Sequence, residues 1–161
     1  MLWGATYLSM HAGLSQEKAA SFASLFFLGM TVGRALSGFI TLKLNDTQMI
    51  RLGQCIIVVG IAALLLPLGT FSTLAGLLLT GLGCAPIYPC VIHSTPNHFG
   101  ADKSQALIGI QMASAYVGTA LMPPLFGLIA QHVSISLLSI YLLILLILMI
   151  WMHEALIRKC K

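Results

Sequence analysis

The sequence contains very few charged residues. Of its 161 residues, 8 are lysine or arginine and 4 are aspartate or glutamate, so only 7% of the chain is charged, whereas about one quarter of a soluble domain is charged. This scarcity excludes a water-soluble globular protein, because 58% of the residues are hydrophobic and a chain of this length cannot bury so much apolar surface. The lipid bilayer is therefore the first partner that the sequence predicts.

Signatures of catalysis and of nucleic-acid binding are also absent from the sequence. It contains no HExxH, GxSxG, P-loop or GxGxxG motif, so an enzyme is the weakest interpretation and no cofactor is expected. The net charge is +4, but the cations stand at the ends of apolar runs and form no basic patch. A nucleic-acid partner is therefore not predicted. No basic segment precedes the first apolar run, so we expect no cleavable signal peptide.

The four cysteines include no CxxC pair. Cys55, Cys84 and Cys90 stand inside apolar runs, where we expect them to be small, reduced, apolar side chains. Cys90 with His93 and His98 is the nearest approach to a metal-binding cluster, but this spacing fits no helical ligand face. We therefore predict neither a disulfide nor a metal site.

Long apolar runs dominate what the sequence does contain. A helix needs about 20 residues to cross a bilayer, and five runs reach roughly that length. We expect spanning helices over residues 19–42, 49–67, 73–92, 105–130 and 135–152, after a stub at 2–10 that is too short to span. The predicted fold class is an all-α polytopic transmembrane bundle, forming one domain over residues 1–161. All connections are short, so neighbouring spans are antiparallel.

The cations are distributed unequally between the two sides of this bundle. One side collects six of them, and the other side has only Lys18. The six are Lys43, Arg51, Lys103, Arg158, Lys159 and Lys161. Because short cytoplasmic loops carry an excess of lysine and arginine, this side is predicted to be cytoplasmic. We expect a multi-pass protein of the cell membrane with a cytoplasmic C-terminus.

The predicted spans differ in composition. The second and fifth are almost purely aliphatic and are expected to face lipid. The first, third and fourth are rich in glycine, serine, threonine and proline, which belong where protein or water can satisfy polar groups. These three are expected to be inner helices that enclose a pathway, with their prolines as bending points. In the first span, Gly29, Gly33 and Ser37 recur every four residues, so they predict a face that a second helix approaches closely.

Four segments resemble parts of a known family. Gly33–Gly38 (GRALSG), followed by Lys43 and by Arg51–Gly53, looks like the glycine–arginine motif after helix 8 of a major facilitator superfamily transporter. Gly81–Pro89 (GLGCAPIYP) looks like helix 10, Gly109–Gly127 (GIQMASAYVGTALMPPLFG) looks like helix 11, and LWGATYL looks like the outer end of helix 7. The chain thus resembles the C-terminal half of such a transporter, helices 7–12, in the fucose-permease-like branch.

The resemblance implies a function and a partner. It implies secondary active transport of a small, polar, sugar-like solute by alternating access, with helices 1–6 of the same transporter as the missing N-terminal half. The stub then starts within a helix, so we expect that Met1 is not a natural start. Two alternatives stay open: a half-transporter that pairs with a separate half or with itself, and a membrane scaffold without a solute path.

The motif residues Gly33, Arg34, Gly38, Lys43 and Arg51 are the predicted gate. Two roles for Arg34 stay open, because it either snorkels to the lipid headgroups or makes bonds that exist only when the cytoplasmic side is closed. Lys43 and Arg51 form a small ionic latch with Asp46 or are simply solvated in the loop.

Several polar residues of the predicted inner helices are candidates for lining a substrate cavity. They are Tyr88, His93, Gln111, Ser114 and Tyr116, with Trp3 and Tyr7 on the stub. Hydrogen bonds between helices or anchoring at the membrane surface explain each of them equally well. His93 is either an interfacial side chain or a titratable group in the water pathway. The cores of the spans contain no aspartate or glutamate, so a carboxylate for proton coupling would belong to the missing half.

Overall fold

A computed structural model describes residues 3–11, 15–65, 69–132 and 137–160. Within these ranges all regular structure is helical. The helices are α1 (Gly4–His11), α2 (Gln16–Ile40), α3 (Asp46–Leu65), α4 (Thr70–Cys84), α5 (Ile87–Phe99), α6 (Ala101–His132) and α7 (Leu138–Cys160). Five stretches are long and apolar enough to cross a membrane, namely α2, α3, α4 together with α5, α6, and α7. The predicted all-α bundle with five spans and a short first segment is confirmed.

The helices α2, α3 and α4 pack together through glycines. Gly29 and Gly33 of α2 lie against the backbone of Leu78 and Leu82 in α4. These contacts confirm the close approach predicted for the two glycines. Ser37 does not continue the tight contact, because it is only partly buried and its hydroxyl donates to the carbonyl of Arg34 at 2.8 Å.

A second glycine contact joins α3 to α4. A methyl group built on Gly53 would lie 2.6 Å from the carbonyl oxygen of Gly83, and one built on Gly76 would lie 2.8 Å from the carbonyl oxygen of Gly60. Such short distances mean that the two backbones touch where neither residue carries a side chain, as small residues permit in membrane bundles.

The burial of the spans corrects the predicted arrangement. The second span, α3, was expected to face lipid, but 44% of its most apolar stretch is buried, against 6% for α7. The reason is the glycine pair Gly53 and Gly60, which lets α4 cover one face of α3. The first and fourth spans, α2 and α6, were expected to be inner helices, yet only 17% and 12% of their apolar stretches are buried. Within this chain both helices lie largely exposed.

The third span is a broken helix. α4 ends at Cys84, Ala85 and Pro86 form a turn, and α5 begins at Ile87. Proline lacks the N–H that would continue the ladder, and its ring clashes with the preceding turn. α5 continues to Phe99, beyond the predicted end of this span at residue 92. The chain then reverses at a single residue, Gly100, whose φ of 80° is accessible to glycine without strain.

The ends of two other helices also differ from expectation. Serine is a preferred N-cap residue and Ser15 precedes α2, but its side chain makes no capping hydrogen bond. α7 continues through Cys160, so the basic segment expected to follow the fifth span at residue 152 is helical. We use "basic end" for the end of the bundle where α2, α5 and α7 end and α3 and α6 begin, with the cations Lys43, Arg51, Lys103, Arg158 and Lys159.

Candidate functional site

An open cavity of about 580 Å³ lies at the basic end, between the α2–α3 connection and α5. Its polar lining residues are Thr41, Asn45, Asp46, Thr47, His93, Ser94 and Asn97. The α2–α3 connection ends at Asn45, the residue before α3. The backbone N–H of Asn45 donates to Oε1 of Gln48 at 3.2 Å, and this bond holds the connection at the first turn of α3. This bond is one half of a capping box, which predicts from sequence where α3 begins.

His93 and Asp46 join two elements across this cavity. Nδ1 of His93, on α5, lies 2.8 Å from Oδ2 of Asp46, in the first turn of α3. A carboxylate is favoured there because the helix N-terminus carries partial positive charge. The His93 side chain is 78% exposed, so the contact is open to water. His93, which the sequence left as either an interfacial or a titratable side chain, therefore contacts Asp46, a residue that the sequence grouped with Lys43 and Arg51 instead.

Arg51 and Glu154 form an ion pair at the basic end. Nε of Arg51 donates to Oε1 of Glu154 at 2.8 Å, and its second nitrogen, Nη2, donates to Oε2 at 3.0 Å. Two parallel bonds between a guanidinium and a carboxylate fix the orientation of both groups. The pair ties α3 to α7.

The latch expected among Lys43, Asp46 and Arg51 takes a different form. Asp46 contacts His93 and Arg51 contacts Glu154, so these two charges connect the loop region to α5 and α7 rather than to each other. Glu154 was missed by sequence reasoning. Its sequence position could have indicated a role, because Glu154 is a carboxylate in a mostly apolar helix and lies near the cations Arg158 and Lys159.

The other gate candidates lie on α2 and the connection after it. Gly33 is buried, with a methyl group built on it 2.6 Å from Cβ of Ala85, at the break between α4 and α5. Arg34 is exposed, and Gly38 has open space around it. Lys43 is exposed in the connection. The structure therefore places Gly33 against the break between α4 and α5 and Arg34 on an exposed part of α2.

The predicted cavity residues do not gather in one place. Gln111 of α6 is bonded to Thr95 of α5, with Nε2 of Gln111 and Oγ1 of Thr95 at 3.1 Å, which favours the interhelical interpretation of this residue. Tyr88 is 46% exposed and Tyr116 is 76% exposed. Ser114 is exposed on the same helix as Tyr116. His93 alone among the five lines the basic-end cavity. The side chain of Tyr7 lies outside the described residues.

A second cluster lies at the opposite end, around Pro123 and Pro124 of α6. Nε1 of Trp3 donates to the carbonyl of Pro123 at 3.0 Å, and the Tyr141 hydroxyl donates to the carbonyl of Met122 at 3.3 Å.

An open groove of about 420 Å³ is lined here by Trp3, Thr6, Thr119, Ala120, Pro123 and Pro124. Trp3 had been predicted as a cavity residue. Thr119 and Tyr141 had not been predicted as cavity residues. The two consecutive prolines could have drawn attention to this part of α6, because proline has no N–H to donate to the helical carbonyl four residues earlier.

Metal binding finds no support in the part of the chain that the structure describes. No group of three histidine, cysteine or acidic side chains there is placed to hold a metal ion. The chemistry that the arrangement offers is hydrogen bonding and ion pairing at the two ends of a helical bundle.

Comparison with known proteins gives one family. The family model described as Major Facilitator Superfamily matches residues 1–159. The chain is 31% identical over 119 residues to the "Uncharacterized MFS-type transporter YcaD" of Escherichia coli O45:K1 (strain S88), and equally to that of O81 (strain ED1a) and O139:H28 (strain E24377A). The match covers 73% of this chain and 30% of each relative. No solved structure matches the chain significantly.

Proposed function

Because this chain belongs to the major facilitator superfamily, a family of membrane transporters, we propose that it is the C-terminal half of a secondary active transporter. The whole protein would move a small, polar, sugar-like solute across the cell membrane by alternating access, with the C-terminus in the cytoplasm. The fucose-permease-like branch remains a prediction from the quoted motifs.

One observation carries this proposal most strongly: α6 is a spanning helix with polar and small residues, yet only 12% of its most apolar stretch is buried within this chain. Ser114, Tyr116 and Thr119 are exposed, and methyl groups built on Gly109 and Gly118 would meet nothing within 4 Å. Polar side chains of a spanning helix need protein or water around them. A second set of six helices facing α6 and α2 would supply both, with water and solute between the halves.

The basic end supplies groups that a two-state bundle can use. The contact between His93 and Asp46 joins α5 to α3, and the pair Arg51 and Glu154 joins α3 to α7. The break at Pro86 divides the third span into α4 and α5. Contacts that form in one state and open in the other are what bias a conformational equilibrium. We assign these two contacts, with Gly33, Arg34, Gly38 and Lys43, to closure of the cytoplasmic side.

Cysteine accessibility tests the proposed pathway. After all four cysteines of this chain, Cys55, Cys84, Cys90 and Cys160, and any others in the whole transporter are replaced by serine, Ser114→Cys and Tyr116→Cys are reacted with a membrane-impermeant maleimide. Residues two apart point to nearly opposite sides of an α-helix, so we expect the position that faces water between the halves to react, and to react differently when a transported solute is added.

The matched control is Ile147→Cys on α7, a residue that is 57% exposed on a helix expected to face lipid. It should stay unreactive, since a maleimide in water does not reach the hydrocarbon region. If positions 114 and 116 behave like position 147, α6 faces lipid and the scaffold without a solute path is the better description.

A further inference from the structure

The short helix α5 is bounded by a break at each end. The turn at Ala85 and Pro86 separates it from α4, and the chain reverses after it at Gly100. Its main packing partners are α3 and α6. Because its ends are not continuous with neighbouring helices, the contacts that α5 makes with α3 and α6 determine its position.

The contact between α5 and α3 has a polar part and an apolar part. Nδ1 of His93 lies 2.8 Å from Oδ2 of Asp46. One turn earlier on α5, Cys90 packs against Met49 and Ile50 of α3 and is only 4% exposed. Cys90 and His93 both line the open cavity of about 580 Å³. The Cys90 thiol is therefore shielded from that cavity as long as α5 rests on α3.

Asp46 is the charged group that faces His93 in the described part of the chain. It lines the cavity from α3, and Cys90 is the titratable group that lines it from α5. The α2–α3 connection adds neutral side chains to the lining, and its Lys43 is not among them. The helices packed against α5 carry further titratable groups, and those described lie outside the lining: Cys84 on α4, Arg51 and Cys55 on α3, and Lys103, Tyr116 and His132 on α6.

The contact between α5 and α6 is neutral, in contrast to the contact with α3. It is the hydrogen bond between Nε2 of Gln111 and Oγ1 of Thr95, two groups that do not titrate. A change of pH therefore acts on the attachment of α5 to α3 and leaves its attachment to α6 unchanged.

Protonation of His93 strengthens its contact with Asp46. In the protonated ring both nitrogens are donors, so Nδ1 makes a charge-assisted hydrogen bond to the carboxylate. The neutral ring keeps one proton, on Nδ1 or on Nε2, so the bond becomes weaker or is lost. A free imidazole changes charge near pH 6.5, and the 78% exposed side chain of His93 exchanges protons with water. The contact is thus stronger at acidic pH and weaker at alkaline pH.

We propose that His93 and Asp46 form a pH-sensitive contact, which holds α5 against α3 when the solution at the basic end is acidic. The proposed function assigns this contact to closure of the cytoplasmic side, so acid at that side favours the closed state and slows transport. This regulation rests on the proposed function, whereas the contact itself is tested without transport.

The reactivity of Cys90 measures whether α5 leaves α3. In the whole transporter, Cys55, Cys84, Cys160 and any cysteines outside this chain are replaced by serine. The rate at which Cys90 reacts with N-ethylmaleimide in detergent is then measured at about pH 5 and about pH 8, the limits between which histidine changes charge. The comparison variant is His93→Asn, whose amide nitrogen replaces Nδ1 and stays neutral. Rates are compared at one pH, because alkali raises the thiolate fraction of Cys90 in every variant.

Near pH 5, we expect Cys90 to react about two- to fivefold more slowly in the parent than in His93→Asn, the effect of one exposed ion pair. Near pH 8 the two rates should be equal. Asp46→Asn removes the partner's charge and should abolish the protection. His132→Asn changes an exposed histidine at the opposite end and is the matched control, which should behave as the parent does.

Three results overturn the proposal. The first is a ratio of parent to His93→Asn rates that is the same at both pH values. The second is stronger protection near pH 8 than near pH 5. The third is protection that persists in Asp46→Asn.

Uptake into liposomes, with equal pH on both sides, separates this inference from the proposed function. If the protection of Cys90 depends on pH but no solute is carried, the contact stands and the proposed transport function fails. If solute is carried but the protection does not depend on pH, transport stands and the pH-sensitive contact fails. If both are observed, uptake by the parent should be slower than uptake by His93→Asn near pH 5 only, and equal uptake there would overturn the proposed regulation.

Discussion

At the scale of single residues, the basic end shows why sequence and structure gave different pairings. Lys43, Asp46 and Arg51 are close along the chain, so proximity in sequence favours one cluster. The helix that begins at Asp46 turns Arg51 toward α7, where Glu154 accepts two hydrogen bonds, and leaves Asp46 facing His93. The residue types could be predicted. Their partners could not, because each lies on a helix distant in sequence.

Exchange of the charges tests the pair Arg51 and Glu154. We expect Arg51→Glu and Glu154→Arg each to reduce transport by the whole protein, because each single change places like charges face to face. The double exchange should recover most of the activity, since the pair is restored with opposite polarity. Transport per inserted molecule is the measurement, with Lys18→Ala at the opposite end as the control. Additive losses in the double variant would show that the two side chains do not act together.

Arg34 is tested by comparing two substitutions. If its bonds help to close the cytoplasmic side, Arg34→Ala should lower transport per inserted molecule about tenfold, the equivalent of about 1.4 kcal/mol, and Arg34→Lys should also be impaired because lysine lacks the guanidinium fork. A snorkelling arginine behaves differently, since lysine replaces it fully and alanine lowers only the amount inserted. Uptake normalised to inserted protein distinguishes the two roles, and parental rates in both variants would remove Arg34 from the gate.

At the scale of helices, hydropathy predicted the five spans because insertion in a bilayer is a local property of about 20 residues. The packing partners were harder to predict. The run IIVVGIAALLL is apolar, yet its Gly60, together with Gly53 one turn before the run, makes α3 a partner of α4. Composition cannot separate an apolar face that meets lipid from one that meets another helix, since both surroundings are equally apolar.

Gly81 gives the sharpest test of this packing. A methyl group at Gly81 would collide with the carbonyl oxygen of Phe26 on α2, whereas one at Gly118 would meet open space in this chain. We expect Gly81→Ala to destabilise the chain by about 1–3 kcal/mol, the usual cost of overpacking. Gly118→Ala should be neutral or stabilising, because alanine favours a helix. Thermal unfolding of the chain in detergent measures both, and equal midpoints would show that α2 and α4 do not touch at Gly81.

At the scale of the whole molecule, the fold is a bundle in which α3 and the span made of α4 and α5 are the most buried, and α2, α6 and α7 lie largely exposed within this chain. The resemblance of the motifs already indicated which transporter family to expect, and the family match agrees with it. The groove at Pro123 and Pro124 was beyond prediction from sequence, because it depends on where α1 places Trp3 against α6.

The orientation of the bundle is a further prediction at this scale. The excess of cations at the basic end predicts that Lys103 faces the cytoplasm and that Lys18 faces outward. In a background without other reactive cysteines, Lys18→Cys should react with an impermeant maleimide on intact cells, and Lys103→Cys should react only after the cells are opened. Reaction of position 103 on intact cells would invert the proposed topology.

The central claim is that this chain supplies one half of a transport pathway, and solute uptake tests it most directly. The chain alone and the whole transporter are reconstituted in matched liposomes, and uptake of a neutral hexose and of a six-carbon polyol is followed at equal amounts of inserted protein. The account predicts accumulation by the whole transporter and none above empty liposomes by the chain alone, since α2 and α6 lack their facing helices. Uptake by the chain alone at the rate of the whole transporter would contradict it.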